Sequence, residues 1–126
     1  MRILANICAA DLARSKAFYG ELLELTVQYD SDWYVQLATP GEAPSEYGLI
    51  QRDHELVPEA YRRPPTGMYM TFVVDDVDAA YQRALAMDAP ILQAPRDEFY
   101  GQRRFLTQDP DGCLLDISAP SSSAPA

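Results

Sequence analysis

The chain has 126 residues, 48% apolar and 23% charged, and its 19 acidic against 10 basic residues give a formal charge of −9. A length of this order supports one compact domain hiding about two thirds of its unfolded surface, and the composition excludes wholesale disorder. The acidic balance argues against nucleic acid, which it repels without any gain from counterion release, and suits a neutral or cationic ligand.

Residues 3–9 alternate weakly and end before Asp11, a good helix N-cap. Leu12, Phe18, Tyr19, Leu22 and Leu23 then recur at helical spacing, so strand followed by helix is the reading. Segments 24–30, 33–38 and 47–51 are short, rich in β-branched and aromatic residues, and separated by Asp-Ser-Asp and by Pro40-Gly41 with Pro44; they predict three antiparallel strands. The stretch 52–67 is polar and contains Pro58, Pro64 and Pro65. It reads as a linker with one helical turn at 58–62. Residues 68–74 predict a new strand, Asp76 caps a helix with Val77, Ala80, Tyr81, Ala84 and Leu85 on one face, and two or three strands follow within 91–118. The order βαβββ thus occurs twice, an α+β fold. An offset of 65 residues pairs Asp11 with Asp76, Leu12 with Val77 and Leu22 with Met87. The expected organisation is a first module over 1–52, a linker over 53–66 and a second module over 67–119. The Ser- and Pro-rich end, 120–126, is expected to be a disordered tail.

Cys8 and Cys113 form neither a disulfide framework nor a zinc or CxxC motif, so a reducing compartment, the cytoplasm, is expected. Arg2 precedes an apolar run too short for a signal peptide and interrupted by Asn6. The stretch 68–74 is far below the roughly 20 residues that span a bilayer, so no membrane segment is expected.

Residues 10–19, ADLARSKAFY, resemble the DLxxSxxFY opening of the vicinal oxygen chelate superfamily, which includes glyoxalase I, extradiol dioxygenases and bleomycin resistance proteins. Residues 74–80 look like the start of its second module. Tyr100-Gly101-Gln102-Arg103-Arg104-Phe105, running on to Asp109-Pro110-Asp111-Gly112, looks like the closing hairpin. The resemblance implies two tandem βαβββ modules whose curved, antiparallel-rich mixed sheets surround a central cavity, usually in a homodimer. Asp-Pro-Asp-Gly makes a hairpin turn on physical grounds alone, with Pro110 at i+1 and Gly112 where φ is positive.

In the metal enzymes of that superfamily, each module supplies a His or Gln from its first strand and an acidic or similar residue from its last. Counting back seven from each capping Asp puts Leu4 and Tyr69 at the first-strand positions, and neither is a useful ligand for a divalent cation. The last-strand position of module two falls on Asp116. In module one the register is open, and only Gln51 among Tyr47, Leu49 and Gln51 could coordinate. Asp116 with Gln51 is short of the three protein ligands that catalytic metal sites generally use, so no cofactor is expected.

Alternation sets Asn6 and Cys8 on the cavity face of the first strand, with Ile7 and Ala9 against the helix. Asn6 is a candidate ligand contact or a structural hydrogen bond, and Cys8, far in sequence from the only histidine, His54, is a small buried hydrophobe. Tyr69, Thr71 and Val73 share the corresponding face of module two, where Tyr69 could stack on and hydrogen-bond a ligand. Leu114, Asp116 and Ser118 share a face of the last strand. A two-residue hairpin loop would bring Arg103 to that side and a bulged loop Arg104; Arg103 is favoured, as a ligand clamp or a structural pair. Tyr34 and Gln36 are assigned to the cavity if Trp33 faces the helix, which parity leaves open. Tyr47, Phe99 and Tyr100 lie near strand ends, as pocket rim or as packing.

The leading expectation is a metal-independent protein that binds a small molecule, an antibiotic or other aromatic or cationic compound, as bleomycin resistance proteins do. The alternative is a divalent-metal-dependent glyoxalase-like lyase, isomerase or dioxygenase. A third is a relative with a self-filled cavity and a role in protein interaction.

Overall fold

The computed structural model describes residues 1–121, and these divide into two compact units, one spanning Met1–Pro65 and the other beginning at Thr66. In the first, β1 (Ala5–Ala9) leads into α1 (Leu12–Leu23), followed by β2 (Thr26–Asp30), β3 (Tyr34–Ala38) and β4 (Glu46–Gln51). In the second, β5 (Met70–Val73) leads into α2 (Val77–Ala86), followed by β6 (Ile91–Asp97), β7 (Gln102–Gln108) and β8 (Leu114–Pro120). Both units are thus βαβββ, each a four-stranded mixed sheet, in the orders β1-β4-β3-β2 and β5-β8-β7-β6. The first strand of each runs parallel to the last, and the other pairings are antiparallel.

The helices begin where the caps dictate. The Asp11 carboxylate accepts from the Arg14 N–H and the Asp76 carboxylate from the Ala79 N–H, satisfying donors that the first turn leaves open. Leu12, Ser15, Tyr19 and Leu22 form the buried stripe of α1, so Ser15 takes a place that an apolar pattern passes over. In α2 the buried residues are Val77, Ala80 and Ala84, while Leu85 is 43% exposed: a ten-residue helix covers its sheet with a narrower stripe than predicted. On the helix-facing side of the first sheet lie Ile7, Val35, Leu37, Tyr47 and Leu49, with the hydroxyls of Tyr19 and Tyr47 2.9 Å apart. Tyr47 is therefore core, not pocket rim. On the same side of the second sheet, Phe105 meets Tyr81 edge-on above Leu115 and Ile117.

Three boundaries differ from the predicted ones. Residues 52–65 belong to the first unit: Val57 is buried, Arg62 Nε donates to the Val57 carbonyl, and Trp33 stacks on His54 at 4.3 Å, with the helical turn at Glu59–Tyr61. Trp33 accordingly packs on that segment, outside β3. The tail was placed too early, since β8 continues through Pro120 and Ser121 is buried with its N–H on the Gly101 carbonyl; residues 122–126 of the expected tail lie outside the described residues. Glu24, assigned to a strand, instead ends α1 in the left-handed region at φ 57. No helix among the described residues is long and apolar enough to cross a membrane.

Truncation of the fully buried Phe105 to Ala is expected to lower the unfolding free energy by about 3–5 kcal/mol, against about 1 kcal/mol for Asp76→Ala, which removes only a cap. Urea unfolding of the two variants measures both.

Candidate functional site

Each sheet has one face against its helix and one free of it, and the helix-free faces carry the polar side chains. In the first unit the register Asn6↔Gly48↔Gln36 puts these residues on that face, with Glu46 and Tyr34 one step away along it. The Tyr34 hydroxyl donates to Asn6 Oδ1 at 2.8 Å, and Gln36 Nε2 donates to Gln28 Oε1 at 2.6 Å and to Glu46 Oε1 at 3.1 Å. Arg2 closes the chain with a two-pronged contact to the Glu46 carboxylate. Asn6, Tyr34 and Gln36 therefore share the helix-free face, which parity alone leaves open for Tyr34 and Gln36, and they are already tied to one another and to Glu46.

Gly48 makes this arrangement possible. A Cβ there would run into Asn6 Oδ1 and the Tyr34 hydroxyl, far inside van der Waals distance. The absent side chain is the space in which the Asn6–Tyr34 bond sits.

The second unit fills the same place differently. Its register runs Thr71↔Asp116↔Leu106, and Arg104 pairs with Ser118 on the same face. Asp116 is 5% exposed; Thr71 Oγ1 donates to its Oδ2 at 2.9 Å, and Arg104 Nη1 stands 3.7 Å from that oxygen. Arg104 Nε lies 3.8 Å from Glu98 Oε1, which itself accepts from Arg96 Nε at 2.5 Å and Gln93 Nε2 at 3.3 Å. The arginine is suspended between two carboxylates at ion-pair but not hydrogen-bond distance. Asp116 Oδ1, Arg104 Nε and Gln102 Oε1 are buried without a hydrogen-bond partner. Groups left so typically cost about 1–3 kcal/mol each.

The hairpin decides which arginine comes here. Asp109 Oδ1 accepts from the N–H groups of Asp111 and Cys113, Gly112 turns at φ 85, and Asp109 and Cys113 close a three-residue loop with a bulge. The extra residue shifts β7 by one, so Arg103, favoured for the Asp116 side, falls on the helix side. There its Nη2 meets Asp78 Oδ1 at 3.1 Å and its Nη1 meets Asp97 Oδ1 at 3.5 Å, beside a polar cleft of about 380 Å³ at the start of α2. Those contacts, Asp78 foremost, hold Arg103 more firmly protonated.

The same register identifies the positions that correspond between units. Asn6 and Thr71 each precede a capping Asp by five residues, so their partners Gly48 and Asp116 are equivalent. Gln51, the only residue of that strand expected to be able to coordinate, does not hold the equivalent position: it lies on the helix-facing side, its Nε2 donating to the Ala10 carbonyl and its Oε1 accepting from the Leu12 N–H. Leu4 and Tyr69 fall just before β1 and β5, with Tyr69 51% exposed. At the positions that correspond to the superfamily's metal ligands, the first unit thus holds Leu4 and Gly48 and the second Tyr69 and Asp116; only Asp116 is a good donor, and residues of these types do not fit a divalent ion. Among the described residues no three His, Cys, Asp or Glu side chains gather as a metal site. Cys8, on the helix-free face as expected, places its Sγ 3.5 Å from the Tyr61 carbonyl. Phe99 and Tyr100 stand exposed in the β6–β7 turn, edge-on to each other. Glu46, Gly48, Glu98 and the choice of Arg104 were not singled out by the sequence pattern; the 65-residue offset of the capping aspartates leads from Asp116 to Gln51, and only the strand pairing leads to Gly48.

Two outcomes are expected. Gly48→Ala should destabilise the chain by about 1–3 kcal/mol, and Asn6→Gly should recover part of that loss in the double variant, a coupling readable in a double-mutant cycle. The Arg2 guanidinium holds the Glu46 carboxyl below its ordinary range, so its stabilising contact is whole above the ordinary glutamate value of 4.5 and disappears as pH falls through the lower folded value. In an NMR titration Glu46 should therefore titrate low, and Arg2→Ala should return it upward. The Tyr34 hydroxyl shifts the opposite way, raised first by burial.

The comparisons with known proteins agree with this architecture. Residues 3–117 match the family model of the glyoxalase/bleomycin resistance protein/dioxygenase superfamily. The chain is 32% identical over 120 residues to the uncharacterized protein YaeR of Escherichia coli strain K12, covering 88% of this chain and 89% of that one. A superfamily enzyme from Burkholderia phytofirmans PsJN superposes with a TM-score of 0.77 at 22% identity, covering 94% and 97% of the two chains. The lactoylglutathione lyase of Agrobacterium tumefaciens does so with 0.68 at 19% identity, covering 94% and 92%. With the family model spanning nearly all of both βαβββ units, the chain belongs to the glyoxalase/bleomycin resistance protein/dioxygenase superfamily.

Proposed function

We propose that this protein captures a small organic molecule, aromatic or cationic in type, without a metal ion and without chemical turnover, in the manner of the antibiotic-binding branch of its superfamily. One observation carries the reading: of the four positions where a metal-dependent member would place ligands, three hold Leu4, Gly48 and Tyr69, and only Asp116 offers a strong donor. Its neighbourhood supports capture. Asp116 is buried with one carboxylate oxygen unmatched, Thr71 and Arg104 orient the other, and the exposed Tyr69 ring lies at the end of the adjoining strand. Those are the elements of a small-ligand site, a few convergent polar groups beside apolar surface. The metal-dependent lyase or dioxygenase reading loses its second ligand, because Gln51 is committed to the start of α1.

Elemental analysis of the protein purified without chelator should find no stoichiometric divalent metal, and a panel of planar drugs should include compounds that raise the melting temperature, since a ligand preferring the native state must do so. Asp116→Ala and Tyr69→Ala should each weaken binding of such a compound by about tenfold, roughly 1.4 kcal/mol, with the fold retained. One tightly bound divalent ion per chain, lost in Asp116→Ala, would overturn the proposal.

A further inference from the structure

Buried polar atoms in folded proteins are nearly always paired, so unmatched ones on the same face of neighbouring strands call for an explanation. Here Asp116 Oδ1 is an acceptor without a donor and Arg104 Nε a donor without an acceptor. The residues lie on one face of the second sheet, where Leu106 pairs with Asp116 and Arg104 with Ser118. The guanidinium stands 3.7 Å from Asp116 and 3.8 Å from Glu98, attracted to both yet too far to hydrogen-bond either. A bare cation would match Asp116 but bring like charge against Arg104 and Arg96 and leave Nε unmatched. A bare anion would match Nε but meet Asp116 and Glu98. A neutral group with an N–H beside a C=O answers both atoms at once without adding charge, through two separate hydrogen bonds where a single hydroxyl would have to serve both from one oxygen.

Building on the capture reading above, we propose that Asp116 and Arg104 form a clamp for the amide-like edge of a ligand, which gives its N–H to Asp116 Oδ1 and accepts from Arg104 Nε through its carbonyl. The two atoms are shielded from water, so the ligand enters as the Arg104 side chain, 19% exposed, swings aside and closes over it. Thr71, exposed on β5, keeps Asp116 aligned through Oδ2 during that exchange.

Three probes that share one ring and differ only in that edge test the clamp: benzamide, benzamidinium and benzoate, each titrated at millimolar concentration into the full chain and followed by backbone amide NMR shifts. Benzamide should move the signals of Thr71, Arg104, Leu106 and Asp116, with an affinity at least tenfold above the other two. Asp116→Asn and Arg104→Lys, the latter removing Nε while keeping the charge, should each weaken benzamide by tenfold or more; having two variants guards against one of them failing to fold. Equal or tighter binding of benzamidinium or benzoate overturns the amide clamp and leaves metal-free capture standing. Shifts from none of the probes at these residues also overturn the clamp, whereas a stoichiometric metal on the native protein overturns the capture reading itself.

Discussion

In each unit the first strand lies parallel against the last, and the register of that pairing determines what stands on the helix-free face. It is fixed by a short crossover: a capped helix follows the first strand within a few residues, so the apolar side of the strand must meet the helix and every alternate side chain is thrown to the other face. A slip of one residue would turn Asp116 into the core and Ile117 out of it. The buried faces of Ile117, Leu115 and Phe105 oppose that slip.

From equivalent positions the two units then diverge. Gly48 opens a space in the first that Asn6 and Tyr34 fill with their own hydrogen bond, and the polar chain through Gln36, Glu46 and Arg2 is largely self-matched. Asp116 occupies the corresponding place in the second, where Arg104 is shared between two carboxylates and hydrogen-bonds to neither. A matched network rigidifies its sheet, while an unmatched one holds interaction energy that an incoming group can collect. That contrast leaves the unmatched polar atoms on the second unit and a matched network on the first.

The electrostatics follow the same division. Arg2 lowers the Glu46 carboxyl and Arg96 lowers that of Glu98, each through a direct contact on a partly open face, where screening keeps such pairs modest. Asp116 differs because it is buried, and there an unmatched oxygen has no water to turn to. Local burial, more than the overall charge of −9, sets which carboxylate matters.

The sequence alone determined the element order, both helix starts and the sidedness of β1 and β8, because capping and alternation are local rules that Asp11, Asp76 and the apolar spacing express directly. It also placed Asn6 and Asp116 on faces free of the helix, while the face of Tyr34 and Gln36 stayed open until the β3–β4 register fixed it. Tertiary structure alone decided that Arg104 and not Arg103 joins Asp116, since one bulged residue after Asp109 inverts the parity of β7. It likewise decided that Gly48 and not Gln51 is the counterpart of Asp116, and that residues 52–65 pack with the first unit. The Gly48 outcome depends on pairing between segments some 40 residues apart and the Arg104 outcome on a hairpin register, and in both the registers consistent with local pattern differ by a single step, so that only the packed core selects among them.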